Sequence, residues 1–267
     1  MKTNIYPSID DEDFSIKLAN HPHFKDYKYD EKFYITKKEH TQEDKEQILQ
    51  QLIEDANNKC SGSGGYIYTK IQLFISTFIS LNTPYNSVLL YHGVGVGKSC
   101  SSILIADNFR HYINKINQKN KNNLKKIIVL TSTSIQSGFK TEIFDEKFHN
   151  SKVDQNSFKC TSNEYLDELE IYKKSKSKKD FNKKITENNF IFTGYQKFHN
   201  DYGHLETKQQ FDEYFSDTVI IIDEVHNLRT DDDIDETSSQ ESEKAKQAKE
   251  CRLLLLKILN TLLTVST

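Results

Sequence analysis

The residues best able to do chemistry in this 267-residue chain lie in the stretch NSVLLYHGVGVGKSC, residues 86–100. Gly93, Gly95 and Gly97 alternate behind an apolar run and lead directly into Lys98 and Ser99. Glycine takes up positive φ without a Cβ clash. A loop built this way curls and turns successive N–H groups inward, forming a nest for phosphate oxygens. A helix starting at the loop brings the positive end of its dipole to the same point. Lys98 can then neutralise β- and γ-phosphates, while the Ser99 hydroxyl is a hard oxygen ligand suited to Mg2+. Gly93, Val94, Gly95, Val96, Gly97, Lys98, Ser99 and Cys100 are therefore expected to hold a nucleoside triphosphate. A glycine-rich turn without a ligand is the bland alternative. A dinucleotide loop fits poorly, because G-x-G-x-x-G is not satisfied and the lysine goes unexplained. One position departs from a strict phosphate loop: His92 stands where glycine is expected.

A phosphate loop needs a carboxylate at the end of another buried strand, and TVIIIDEVHNL (218–228) offers one. Asp223 follows a run of β-branched residues, so it emerges at the carboxyl edge of a strand, where open α/β sheets bind ligands. Its expected role is to hold Mg2+, largely through water. Glu224 is the expected general base that orients and activates the attacking water. An Asp-Glu pair at a strand end can also be plain surface chemistry. Beside a phosphate loop, a second carboxylate points to hydrolysis rather than simple binding.

The elements that must position these groups alternate along the chain. SVLLYH, KKIIVLTS, NFIFTGY and TVIIIDE read as strands, and SCSSILIADNFRHYINKI and SIQSGFKTEIFDEKF as helices. Continuous β-branched runs, each followed by a helical pattern, mean strands covered on both faces, which is a mainly parallel sheet of α/β type. Upstream, TQEDKEQILQQLIEDANN reads as a helix capped by Thr41, with Ile48, Leu49, Leu52 and Ile53 as its apolar stripe. SGSGG at 61–65 marks a boundary between a polar extension, 1–63, and the main domain, 64–267. Two charged insertions, 172–184 and 230–250, read as solvated loops. The net charge of −3 argues against a wholly basic nucleic-acid coat but leaves room for a local basic face. Cys60, Cys100, Cys160 and Cys251 form no C-x-x-C pair, so reduced thiols are expected rather than zinc or a disulfide framework. The acidic N-terminus has no signal-peptide core, and CRLLLLKILNTLLTV is too short and too polar to span a membrane.

Asp223–Glu224–Val225–His226 resembles the D-E-x-[HD] box of superfamily 2 helicases and translocases. Their phosphate loop reads [AG]-x-x-G-x-G-K-[ST]; Gly95, Gly97, Lys98 and Ser99 match it and His92 alone departs. Further segments fall in the order of that superfamily. YIYTKIQLFISTFIS places Gln72 like the glutamine that reads adenine edges. IIVLTSTSIQSGFKTEI resembles the next motif of Swi/Snf-like members, with Phe139 and Glu142 as its aromatic-x-x-Glu. FIFTGYQKF resembles their Thr-Thr-Tyr motif, with Gly194 for the second threonine and Tyr195 after it. TPYNSVLLYHGVGVGKSCSSI and YPSIDDEDFSIKLAN look like the helicase-like ATPases of nucleocytoplasmic large DNA viruses, among them the poxvirus early transcription factor small subunit and nucleoside triphosphate phosphohydrolase I. In that group a histidine before the glycine loop is usual.

The resemblance implies a RecA-like lobe using ATP and Mg2+. It implies nucleic-acid contacts from Thr131, Ser132 and Thr193, and coupling of nucleotide state to nucleic acid through His226. DNA is favoured over RNA, with viral transcription machinery as a partner, no membrane role, and a place in the host-cell viral factory or the virion rather than secretion. It also implies a second RecA-like lobe carrying arginine fingers, and a [ST]-A-T motif; LLTVST reads as the helix before that motif, so the chain is expected to be a first lobe. The competing functional reading is a nucleotide-responsive interaction module in a viral transcription or packaging assembly, with little turnover of its own. A P-loop kinase or packaging ATPase is disfavoured by Gln72 and the D-E-V-H context.

Overall fold

The computed structural model describes residues 6–28, 41–61, 68–91, 97–121, 124–144, 160, 186–225 and 249–258. The elements run α1 (Phe14–Asn20), a 3-10 turn (Lys25–Tyr27), α2 (Gln42–Ser61), α3 (Lys70–Phe78), α4 (Lys98–Lys119), β1 (Ile127–Leu130), α5 (Thr133–Ile143), β2 (Phe190–Thr193), α6 (Tyr195–Tyr202), α7 (Lys208–Phe215) and β3 (Val219–Ile222). A last helix, α8, covers 249–258. The chain forms two units, one of residues 1–108 with 146–166, the other of 109–145 with 167–267.

The second unit contains the sheet. Its three strands are parallel in the order β2-β1-β3, and Leu130 at the end of β1 lies opposite both Thr193 and Ile222. Side chains alternate between the two faces of a strand. Ile128 and Leu130 accordingly join Phe198 of α6, Phe211 and Phe215 of α7, and Cys251, Leu254, Leu255 and Ile258 of α8 in one buried cluster, with Ile220 and Ile222 of β3 packed against it. On the other face Phe192 meets Phe139 of α5, ring centroids 5.9 Å apart. With helices on both faces, all four residues of β1 can be apolar and buried, as they are. This is the mixed α/β arrangement of a parallel sheet flanked by helices that a RecA-like lobe requires.

In the first unit the N-terminal segment packs on α3. Phe24, 1% exposed, lies against Phe74 and Phe78. Tyr85 stacks on Phe78 at 4.3 Å, and its hydroxyl donates to the Pro7 carbonyl at 2.8 Å. The middle of α4 is tied to α3 by Asn108, whose amide donates to the Ser76 carbonyl and hydroxyl, both at 2.8 Å. Helix starts follow local chemistry. Thr41 Oγ1 accepts the Asp44 N–H at 3.2 Å while the Asp44 carboxylate accepts the Thr41 N–H at 2.8 Å, the reciprocal cap expected of Thr41.

Three expectations are corrected. The expected strand SVLLYH (87–92) does not form over its described residues, 87–91, where Val88, Leu89 and Tyr91 are 42%, 75% and 95% exposed; His92 lies outside the described residues. An apolar run is only a strand where a neighbouring backbone supplies its hydrogen bonds. The helix read upstream is present as α2, with Ile48 of its stripe buried and Leu49 and Ile53 about half exposed, while the Leu52 side chain lies outside the described residues. The helix after β1 ends at Ile143, where Phe144 turns extended. Cys100 and Cys160 are not free thiols but a disulfide closing a separation of 60 residues, with their Cα atoms 5.1 Å apart. In the loop-closure treatment such a link stabilises the folded chain by about 4 kcal/mol. Cys251 stays a thiol, and burial in the α8 core pushes its pKa up to about 11.

Truncating Phe198, which is fully buried, should lower the unfolding free energy by about 3–5 kcal/mol in urea denaturation of Phe198→Ala. Leu89→Ser should stay within about 0.5 kcal/mol of the parent. A cost above about 2 kcal/mol at Leu89 would mean that 86–91 is a buried strand after all.

Candidate functional site

The first unit holds the described end of the glycine loop. Gly97 has φ 80, a left-handed backbone that glycine adopts without strain, and Lys98 begins α4 immediately after it. The Gly97 carbonyl closes the first helical turn by accepting the Ser101 N–H at 3.0 Å and the Ser101 hydroxyl at 3.1 Å. By helix geometry the N–H groups of the first turn have no acceptor within the helix, so with the dipole they favour an anion. Ser99 is half-buried, and among the described residues its hydroxyl has no hydrogen-bond partner. His92, Gly93, Val94, Gly95 and Val96 lie outside the described residues.

Gln72 is 3% exposed and holds two structures together. Its side-chain oxygen accepts the Thr69 N–H at 2.9 Å, half of a capping box that starts α3, and its amide donates to Gly97 O at 3.4 Å. The amide thus links α3 to the end of the glycine loop. Cys100, in the first turn of α4, is bonded to Cys160, and the Cys160 carbonyl accepts the Tyr68 hydroxyl.

The second unit holds the acidic pair. Both ladders of β1 run one residue past the strand: Thr131 N–H donates to Thr193 O at 3.1 Å, and Asp223 N–H donates to Leu130 O at 2.9 Å. This brings Thr131, Thr193 and Asp223 to one edge. Thr131 Oγ1 donates to Asp223 Oδ2 at 3.2 Å. The second carboxylate oxygen, Oδ1, has no hydrogen-bond partner among the described residues. Glu224 has φ 55, and a side chain in that left-handed region costs on the order of 1 kcal/mol. The Tyr195 hydroxyl, at the start of α6, donates to the Asp223 carbonyl and lies 3.3 Å from that of Glu224.

Of the hydroxyls expected to face nucleic acid, Thr131 is 0% and Thr193 3% exposed, whereas Ser132 is partly exposed and pairs with Ser134 at 3.0 Å. Phe139 is buried against Phe192. His226 lies outside the described residues. Sequence reasoning did not find the inward bond of Thr131, the reach of Tyr195 across 28 residues, or the pairing of Cys160. The one available signal was Tyr195 in FIFTGYQKF, where spacing alone says nothing about its target.

The chain is 31% identical over 194 residues to a protein of Acanthamoeba polyphaga mimivirus named "Putative ATP-dependent RNA helicase", a match covering 67% of this chain and 16% of that protein. It is 31% identical over 167 residues to a "Putative helicase" of Invertebrate iridescent virus 3, covering 62% of this chain and 15% of the other. A second mimivirus protein, also named "Putative ATP-dependent RNA helicase", is 28% identical over 166 residues, covering 59% and 24%. The chain thus spans a quarter or less of the length of these relatives. The similarities support a viral helicase family. No protein-family model matches the chain, and no solved structure matches it. No described helix is long and apolar enough to cross a membrane.

If the left-handed turn at Glu224 carries strain, Glu224→Gly should unfold at the parent's denaturant midpoint or above it. Glu224→Val should lose about 1–2 kcal/mol, because a β-branched side chain is least tolerated there. Chemical denaturation of both variants checks the order.

Proposed function

We propose that residues 64–267 are the ATP-binding lobe of a viral superfamily 2 helicase, a nucleic-acid-dependent ATPase with a D-E-V-H box, and that 1–63 is its N-terminal extension. The observation that carries the reading is one chain joining a Gly97–Lys98–Ser99 turn at the head of α4 with an Asp223–Glu224 pair at the end of a parallel strand, in a sequence similar to viral proteins named as helicases.

Each residue has a role that its chemistry supports. The loop Gly93, Val94, Gly95, Val96 and Gly97 wraps the phosphates with backbone N–H groups, Cys100 extending that turn. Lys98 neutralises the β- and γ-oxygens. Gln72, whose amide donates to Gly97 O at 3.4 Å, is the residue that the resemblance assigns to the adenine edge. Ser99 and Asp223 are hard oxygen donors, and each has oxygen capacity unused by the described residues, which suits Mg2+. When bound, that ion would supply neutralisation of the charge on the phosphate oxygens. Glu224 orients the attacking water and accepts its proton. An arginine from a second RecA-like lobe completes the charge stabilisation, worth roughly 10³-fold or more in rate. Ser132, partly exposed, stands at the edge where nucleic-acid phosphates would dock, whereas the buried hydroxyls of Thr131 and Thr193 do not face solvent, and His226 links that edge to the nucleotide. Work on the viral genome or its transcripts, in the viral factory or the virion, suits this activity. Two relatives carry RNA in their names, while DNA is favoured by the resemblance to DNA-virus transcription ATPases.

Lys98→Ala should weaken ATP binding by at least about 100-fold in calorimetry, the loss expected when a charge-assisted phosphate contact goes; unchanged affinity would falsify the phosphate-loop assignment. In the full-length viral protein, Glu224→Gln should keep ATP bound but slow phosphate release by about 10²-fold or more. Single-stranded DNA and RNA, added separately, should stimulate the parent. A flat response to both would leave a nucleotide-responsive module instead of a motor.

A further inference from the structure

We propose that Thr131 and Tyr195 are positioning residues for the acidic pair, Thr131 aiming the Asp223 carboxylate and Tyr195 holding the Asp223–Glu224 turn; this rests on the phosphate-site reading above. Thr131 is fully buried, so its hydroxyl faces inward rather than toward a polymer in solvent. Its backbone is pinned on one side by the N–H donated to Thr193 O at 3.1 Å, and on the other side its hydroxyl donates to Asp223 Oδ2 at 3.2 Å. A β-branched residue has few χ1 options. The hydroxyl therefore fixes the carboxylate's rotation and leaves Oδ1, which has no hydrogen-bond partner among the described residues, as the acceptor for a cation.

Tyr195 acts on the backbone. Its ring is carried by the first residue of α6, and one phenolic hydrogen is shared between two successive carbonyls, the nearer of Asp223 and the 3.3 Å carbonyl of Glu224. Two successive carbonyls presented to one donor describe a tight turn. Glu224 sits at φ 55 in that turn, a conformation that its side chain disfavours and that therefore needs an external tie. Removing the hydroxyl should let the turn relax and the Glu224 carboxylate swing. Both ties start from the ends of β1 and β2, so the carboxyl edge of the sheet sets the geometry of the acids.

The test is a Mg2+ titration of fluorescent ATP-analogue binding by the full chain, with and without EDTA. The parent should bind more tightly as Mg2+ rises. Thr131→Val keeps the shape and removes the hydroxyl. It should raise the half-maximal Mg2+ concentration about tenfold, the scale of a lost hydrogen bond to a charged group, while leaving the EDTA affinity within about twofold. Thr131→Ser should restore the parent's midpoint, a rescue that a purely structural role would not predict. Tyr195→Phe should shift the midpoint in the same direction by a smaller factor, again without change in EDTA. Should Thr131→Val fail to fold, Thr131→Ser and Tyr195→Phe decide. Midpoints equal to the parent's in Tyr195→Phe and in Thr131→Val, or no rescue by serine, overturn the proposal and leave the nucleotide site intact. A parent whose nucleotide affinity ignores Mg2+ overturns the proposal together with the site reading.

Discussion

A parallel ladder on both sides of β1 is the constraint on which the rest depends. Parallel pairing in this register puts Leu130, Thr193 and Ile222 level with one another. Whatever follows those three residues must leave the sheet at one edge. Thr131, Gly194 and Asp223 are what follow, and the two ladders continue far enough to hold Thr131 and Asp223 in place. An antiparallel pairing of the same strands would have separated them by the length of a strand. The acidic end of the site is thus a consequence of strand direction before it is a matter of any side chain.

Strand direction in turn requires both faces of the sheet to be covered. Parallel strands are linked by chain that crosses back over the sheet, and here α6, α7 and α8 bury Ile128 and Leu130 and pack against the partly buried Ile220 and Ile222, while α5 covers the Phe192 face. The packed core supports the strand end beside which Glu224 holds a left-handed conformation that its side chain disfavours. Strain at a residue expected to do chemistry is the kind that a supporting core sustains.

The glycine-loop end of the site is built differently. No sheet positions it among the described residues; helix starts and side-chain ties do. The Gln72 side chain caps α3 and also reaches Gly97, Gly97 closes the first turn of α4, and the Cys100–Cys160 bond secures that turn to a segment 60 residues away. Because α4 begins at Lys98, the charge and the hydroxyl expected to grip phosphate are carried on the first turn of a long helix, where the dipole acts most strongly.

What the sequence by itself determined are the features that local physics decides. β-branched runs became β1, β2 and β3, the helical period after Gly97 became α4, and Thr41 capped α2 as its side chain allows. The types and spacing of Lys98, Ser99, Asp223 and Glu224 likewise name a chemistry without coordinates. Only the tertiary structure decided which residues face inward. Residues 86–91 have strand composition but no ladder among the described residues, Thr131 turns from solvent to Asp223, Tyr195 reaches a turn 28 residues on, and two distant cysteines meet. Each of those outcomes depends on a partner distant in the chain. Composition and periodicity report the preferences of a segment, and a hydrogen bond or a disulfide needs a second group that only folding brings near.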